Sequence, residues 1–168
     1  VQPDGQLHAA LVRSPHPHAR FRLDAGKAKG IKGVRLVLTG ADVTGIGLMP
    51  CQAGIPGVEF PTPRYPVLAV DEVHHVGDAV AFVVADTLAQ ARDAAEAIAV
   101  EWEPLPHVVG AVAALKQGAV QVWKGRPHNV AFTVDLGDKA ATDAAFKPAA
   151  NVVEVTVVNQ RLVTNYMD

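Results

Sequence analysis

The sequence predicts an α+β fold with a mixed sheet and two to four short helices. Short β-branched apolar runs recur along the chain, and other short segments have helical periodicity, but the two kinds do not alternate strictly. Strict alternation is typical of doubly wound parallel sheets, so its absence favours α+β. Hydrophobic residues make up 49% of the 168 positions, which is enough for a core that needs no disulfides.

Three runs near the start have the pattern of short strands: 7–12, 19–23 and 33–38. Because side chains alternate along a strand, Phe21 and Leu23 should share one face of the second run. By the same rule Val34, Leu36 and Leu38 should share one face of the third run.

The clearest helix signal lies in the middle of the chain. Thr87 and Gln90 have the spacing of a capping box. The positions that follow predict one apolar stripe, made of Leu88, Ala91, Ala95 and Ile98. Shorter helices are predicted at three other places: 25–29 after an Asp24 cap, 109–115 and 142–146.

The later strands are predicted at six places: 67–70, 72–76, 79–85, 99–103, 130–136 and 151–158. Residues 79–85 are apolar at every position, as in a central strand covered on both faces. Residues 151–158 have very high β-propensity, and such a strand left unpaired would promote aggregation. We therefore expect the chain to be a fragment of a longer polypeptide.

Composition excludes several classes of protein. The net charge of −2 lacks the basic excess of a nucleic-acid binder. No apolar run reaches about 18 residues, so no membrane span is predicted. A single cysteine, Cys51, forms no internal disulfide, and the first residues have no signal-peptide pattern. We expect a cytoplasmic protein.

Histidine pairs are the candidate metal ligands. His16 and His18 share a side of an extended chain, as two zinc ligands could, and His8 or Asp24 could be proposed as a third. No spacing selects either of them, so a loop with exposed histidines is the favoured interpretation. His74 and His75 are adjacent on a predicted strand and point to opposite faces, so they should not chelate one ion.

Other candidate chemistry is weaker. Ser14 lies close to His16, but no Gly-x-Ser-x-Gly elbow is present. Cys51 has no basic neighbour in sequence to activate its thiol. Gly45 and Gly47 make only half of a dinucleotide fingerprint. From the residues alone we assign no catalytic, cofactor-binding or metal-binding residue.

Several stretches together resemble the N-terminal α/β-hammerhead domain of the molybdenum hydroxylases, the family of xanthine dehydrogenase, aldehyde oxidase and the carbon monoxide dehydrogenase large subunit. These stretches lie in the family's order: 7–20, 65–76, 77–85, 91–97 and 100–106. The tail resembles the stretch that opens the molybdopterin-binding portion, at 143–146, 152–155, 159–162 and Met167.

The resemblance implies a hammerhead domain at 1–110, a connector at 111–127 and the first strands of a truncated molybdopterin-binding domain at 128–168. It implies an oxidoreductase that hydroxylates an aldehyde, purine or N-heterocycle, or oxidises carbon monoxide. Molybdopterin would be bound elsewhere on the large subunit, and 2Fe-2S clusters and FAD would lie on partner subunits or segments. No family catalytic position has a match here, so this piece is expected to be an inactive scaffold.

Two alternatives follow from the residues. The chain could be a self-contained binding module whose contact surface is the Gly- and Pro-rich loop 44–66, because long loops in compact domains are usually functional or disordered. It could instead be a small metalloprotein that uses His16 and His18.

Overall fold

A computed structural model describes residues 3–49 and 65–157 of the chain. The chain divides into two compact units, residues 1–133 and residues 134–168. Within the described residues the first unit has six strands: β1 (His8–Arg13), β2 (Ala19–Asp24), β3 (Val34–Thr39), β4 (Glu72–Val73), β5 (Ala79–Ala85) and β6 (Ala99–Pro104). Its helices are α1 (Gly26–Lys29), α2 (Leu88–Glu96) and α3 (Ala111–Ala114), with 3₁₀ helices at Gly40–Ile46 and Pro127–Asn129.

The strands form two three-stranded sheets, in the orders β1-β5-β3 and β4-β2-β6. The α+β class is confirmed, but the predicted mixing of parallel and antiparallel strands is wrong, because every strand pair in the described residues is antiparallel. Side-chain alternation is the same whichever way a neighbouring strand runs. The sequence pattern therefore could not decide strand direction.

Strand β5 is the central strand of its sheet, as predicted, and it contributes to both cores of the first unit. Its predicted cover on both faces is incomplete, because Phe82 lines an open groove. Ala81 and Val83 are fully buried in one core, with Ala28 of α1 and Ala94 of α2. Val80 is fully buried in the other core, which includes Phe21 of β2. Consecutive residues of one strand thus anchor both cores.

Helix α2 begins at the predicted capping box. The Thr87 hydroxyl accepts a hydrogen bond from the Gln90 backbone N–H, and the Gln90 side chain accepts one from the Thr87 N–H. The predicted apolar stripe is only partly right: Ala91 and Ile98 are buried, whereas Leu88 is 41% exposed. Ala94, which was not predicted, is fully buried. At the first helical position Leu88 lies at the rim of the interface, and the buried face starts a turn later.

Strand β3 does not keep the alternation that the sequence predicts. Its pairing with β5 shifts register between Val34 and Leu36. Val34 and Val37 pack in the first core, while Leu36 is 45% exposed. The register shift adds one residue to β3 at this point. Each later side chain of β3 therefore lies on the opposite face from the one that strict alternation predicts.

Several predicted segments are shorter than expected or absent. Residues 67–70 form bends rather than a strand, and the strand predicted at 72–76 is reduced to β4. The strands predicted at 130–136 and 151–158 are not formed over the described residues 130–136 and 151–157. The first strands expected of a molybdopterin-binding domain are therefore not found at 128–157. These residues have high β-propensity, but within the described part of the chain no neighbouring strand pairs with them.

The second unit contains one helix in its described part, α4 (Lys139–Phe146), which extends the predicted helix 142–146 toward its N-terminus. Asp138 caps it by accepting a hydrogen bond from the Ala141 backbone N–H. Over the described ranges of both units, no helix is long and apolar enough to cross a membrane.

We expect Gly40→Ala to destabilise the first unit. A Cβ at the buried Gly40 would lie 2.2 Å from the backbone oxygen of Ala69, so the backbone must move. Overpacking of this kind costs about 1–3 kcal/mol of the free energy of unfolding. Urea unfolding measures it, with Gly45→Ala as the matched control, because a Cβ at Gly45 meets no atom within 4 Å. Equal stabilities of the two variants would contradict the close approach.

Candidate functional site

Three polar side chains from two neighbouring strands meet at the end of the second sheet. In the antiparallel pairing of β2 with β4, Ala19 lies opposite Val73 and Arg20 opposite Glu72. Continued by one residue, this register brings His18, just before β2, opposite His74, just after β4. Glu72 and His74 are two residues apart and therefore share a face. Sheet pairing thus gathers the cluster of His18, Glu72 and His74.

The ring of His18 makes two contacts with oxygen atoms. Its Nδ1 lies 2.7 Å from the backbone oxygen of Pro106, and its Nε2 lies 3.0 Å from Oε1 of Glu72. His74 Nε2 lies 3.5 Å from the same carboxylate oxygen. The side chains of His18, Glu72 and His74 are only 13–16% exposed, so these contacts are largely shielded from water.

Burial and charge act in opposite directions on the carboxylate of Glu72. Burial raises its pKa, but the hydrogen bond from His18 and the charges of Lys124 and the two histidines lower the pKa below its ordinary value. Burial lowers the pKa of His74, even though Glu72 opposes the shift. Glu72 is therefore held ionised and His74 is held neutral around pH 7.

An aromatic ring closes one side of this cluster. Trp123 stacks on His74 with ring centroids 3.6 Å apart and an angle of 7° between the planes. Glu72, His74 and Trp123 together line an open cavity of about 340 Å³. Lys124 lies at the rim, with Nζ 3.8 Å from Oε2 of Glu72, and its side chain is 89% exposed. The cluster is thus held rigidly on the protein side and reached from solvent through the cavity.

A second polar group surrounds Asp78, which is 6% exposed. Its carboxylate accepts hydrogen bonds from the His74 backbone N–H at 3.1 Å and from the Tyr65 hydroxyl at 3.4 Å. Its backbone oxygen accepts one from the Ser14 N–H at 2.8 Å. Asp78 therefore fixes the segment that carries His74 to the start of β5.

Most residues singled out in the sequence lie apart from the cluster. The ring of His16 packs on Trp102, with centroids 5.5 Å apart, so His16 and His18 do not form one site. The Ser14 hydroxyl bonds to the backbone of His16 rather than to its ring. His75, 52% exposed, lies on the Asp78 side, as alternation predicted.

The remaining candidates have other roles or are not described. His8 pairs with Ala85 in the first sheet. Asp24 accepts a hydrogen bond from the Gly26 N–H at the start of α1. Gly45 lies in a 3₁₀ helix that ends before Gly47, not in a strand-to-helix turn. Cys51 and most of loop 44–66 lie outside the described residues.

Sequence reasoning missed Glu72 and Trp123. A signal for Glu72 existed, because Glu-x-His on a strand places a carboxylate and an imidazole on one face. Nothing in the sequence indicated that His18 would lie across from them. That placement depends on which strand pairs with β4 and in which register.

The outer face of the first sheet is apolar. Leu11 of β1, Leu38 of β3 and Phe82 of β5 line an open groove of about 510 Å³, with Met49 and Val67 at its border. Leu11 is 40%, Val67 41% and Met49 50% exposed. Exposed apolar side chains that cluster in one groove make this face a candidate interaction surface.

Comparison with known families matches residues 1–106 to the aldehyde oxidase and xanthine dehydrogenase a/b hammerhead domain. The chain is 37% identical over 164 residues to the carbon monoxide dehydrogenase large chain of Afipia carboxidovorans, covering 89% of this chain and 19% of that protein. It is 38% identical over 160 residues to the nicotine 6-hydroxylase large subunit of Paenarthrobacter nicotinovorans, covering 91% and 18%.

A solved structure of reconstituted CO dehydrogenase from Oligotropha carboxidovorans is similar to the chain with a TM-score of 0.75 at 35% identity. The match covers 90% of this chain and 20% of that one. The chain spans about a fifth of the length of these two curated relatives.

Titration of Tyr65 tests the environment of Asp78. Burial raises the pKa of Tyr65 above 10.0, and the charge and hydrogen bond of Asp78 raise it further. In a Tyr166→Phe background, where only Tyr65 titrates, Asp78→Asn should lower that pKa, as measured by tyrosinate absorbance. Asp71→Asn is the control, since Asp71 is not among the groups that shift Tyr65.

The raised pKa of Tyr65 also makes the stability of the first unit depend on pH. Because the folded pKa of Tyr65 lies above the unfolded value, its contribution is complete below about pH 10 and is lost as pH rises through the folded pKa. Tyr65→Phe should therefore flatten the alkaline loss of stability measured by urea unfolding. An identical alkaline limb in the Phe variant would contradict this.

Proposed function

The chain belongs to the aldehyde oxidase and xanthine dehydrogenase hammerhead family, and from this membership we propose that it is the hammerhead segment of the large subunit of a molybdopterin-dependent oxidoreductase. Its role is that of a scaffold, and the reaction takes place on other parts of the same polypeptide. Two printed relatives support the class: a carbon monoxide dehydrogenase large chain and a nicotine 6-hydroxylase large subunit. The substrate class of the whole enzyme is an aldehyde, purine, N-heterocycle or carbon monoxide.

The exposed apolar face of the first sheet is the observation that carries the scaffold role. Leu11, Leu38 and Phe82 line a groove that a self-sufficient domain would normally cover. We assign its cover to the remainder of the large subunit. Covering apolar side chains stabilises an assembly by about 25 cal/mol per Å² removed from water.

The division of the polypeptide follows from the same proposal: a hammerhead domain at 1–110, a connector at 111–127 and the start of a molybdopterin-binding domain at 128–168. Within the described residues, every buried side-chain nitrogen and oxygen already has a hydrogen-bond partner, so none is left for a pterin to satisfy. We assign molybdopterin to the rest of the large subunit, and 2Fe-2S clusters and FAD to other subunits or segments, in a cytoplasmic enzyme. No step of the reaction is derived from this chain.

The native polypeptide that contains this sequence provides the test. Purified from its source, it should be several times larger than 17.7 kDa and should carry about one molybdenum atom per polypeptide, measured by mass spectrometry and elemental analysis. A native chain of 168 residues without molybdenum would overturn the proposal and favour a self-contained binding module.

Substitution at the apolar face should weaken the assembly. In the native polypeptide Leu11→Glu is expected to lower the yield of molybdenum-loaded enzyme, because a charge would be buried against an apolar partner. Leu88→Glu is the matched control: Leu88 is 41% exposed against 40% for Leu11, and lies at the start of α2, where an acidic residue is favourable. Equal losses in both variants would show that the face of Leu11 has no partner.

A further inference from the structure

The cluster of His18, Glu72 and His74 has the composition of a transition-metal site. Two imidazole nitrogens and one carboxylate oxygen form the ligand set that first-row ions such as Zn²⁺ accept. All three ligand atoms lie within 4.8 Å of one another. We propose that these three side chains bind one divalent first-row transition ion, at a site separate from the molybdenum chemistry of the proposed function.

The distances suit one shared ion. Two ligands that each lie about 2.0–2.1 Å from a tetrahedral zinc are about 3.4 Å from one another. Oε1 of Glu72 lies 3.0 Å from Nε2 of His18 and 3.5 Å from Nε2 of His74. The two imidazole nitrogens lie within 4.8 Å of one another, so side-chain rotations that bring them closer together would place one ion between the three ligands.

The outer contact of His18 is the one that metal-bound histidines usually make. A backbone oxygen accepts only, so the 2.7 Å contact with Pro106 requires a hydrogen on Nδ1 of His18. Nε2 then faces the Glu72 carboxylate and can donate a hydrogen bond to it only when that nitrogen also carries a proton. Only a proton or a cation between the two atoms makes this contact favourable. Ligating histidines are held in this tautomer by the same kind of bond to a carbonyl.

The surroundings leave a coordination position open. Glu72 and His74 border the cavity of about 340 Å³, which is far larger than the roughly 30 Å³ that a water molecule occupies. Three protein ligands with an open fourth position are typical of catalytic rather than structural zinc sites. Lys124 approaches only the other oxygen of Glu72, and its exposed side chain can move away. The stack of Trp123 on His74 keeps that ring in place.

Zinc titration of the complete chain, purified without a histidine tag, tests the proposal. A chromophoric chelator competes with the protein for zinc and reports the affinity. We expect one Zn²⁺ per chain and no displacement by excess Mg²⁺ or Ca²⁺, which prefer all-oxygen sites. His74→Ala and Glu72→Gln should each weaken zinc binding at least about 100-fold, since even loss of an outer contact typically costs 10–100-fold. His75→Ala is the matched control and should change the affinity less than about twofold, since alternation turns its ring away from the cluster.

A second measurement separates binding from folding. Zinc should raise the unfolding temperature of the unsubstituted chain and of His75→Ala, because a ligand that binds the native state stabilises it. It should not raise that of Glu72→Gln, which keeps the shape of the side chain. Binding of zinc at several weak sites would overturn the proposal. Equal zinc affinities of the His74→Ala and His75→Ala variants would do the same. So would the absence of zinc binding by the unsubstituted chain, and none of these results would bear on the molybdenum content of the native polypeptide.

Discussion

Strand β5 is the element on which the rest of the first unit depends. It hydrogen-bonds to β1 on one side and to β3 on the other. Ala81 and Val83 enter the core beneath α2, while Val80 enters the second core. Small and β-branched side chains allow both contacts, because a helix can approach a strand closely where small residues such as Ala94 and Ala81 share a core. The shortage of large aromatic residues is thus a packing feature of this strand and its helix.

Strand β5 also positions the polar cluster indirectly. Asp78 directly precedes it, and its carboxylate accepts the hydrogen bond from the His74 N–H. Pairing of β2 with β4 then brings His18 across from His74. The short β4 strand carries the candidate ligand Glu72, and the residue directly after it carries the candidate ligand His74. Titratable groups that are shielded from water, perturbed by a charged neighbour and reached through a cavity are typical of functional sites.

The two notable surfaces of the first unit differ in the side chains that they carry. The groove lined by Leu11 and Phe82 is mainly apolar. The smaller cavity beside Trp123 has Glu72 and His74 in its lining. The hammerhead segment, which covers about a fifth of the length of these two curated relatives, carries both surfaces. One surface would join it to the rest of the subunit, while the other would remain a site of its own.

The sequence by itself determined the α+β class, the capped helix α2 and the central place of β5, because capping residues and apolar periodicity are local properties. The ordered resemblance along the chain also indicated the family. Only the tertiary structure decided strand direction, the register shift in β3 that exposes Leu36, and the meeting of His18 with Glu72 and His74. These depend on pairing between segments about 50 residues apart. Alternation along one strand is compatible with many partners and registers, and only the packing of the whole unit selects one of them.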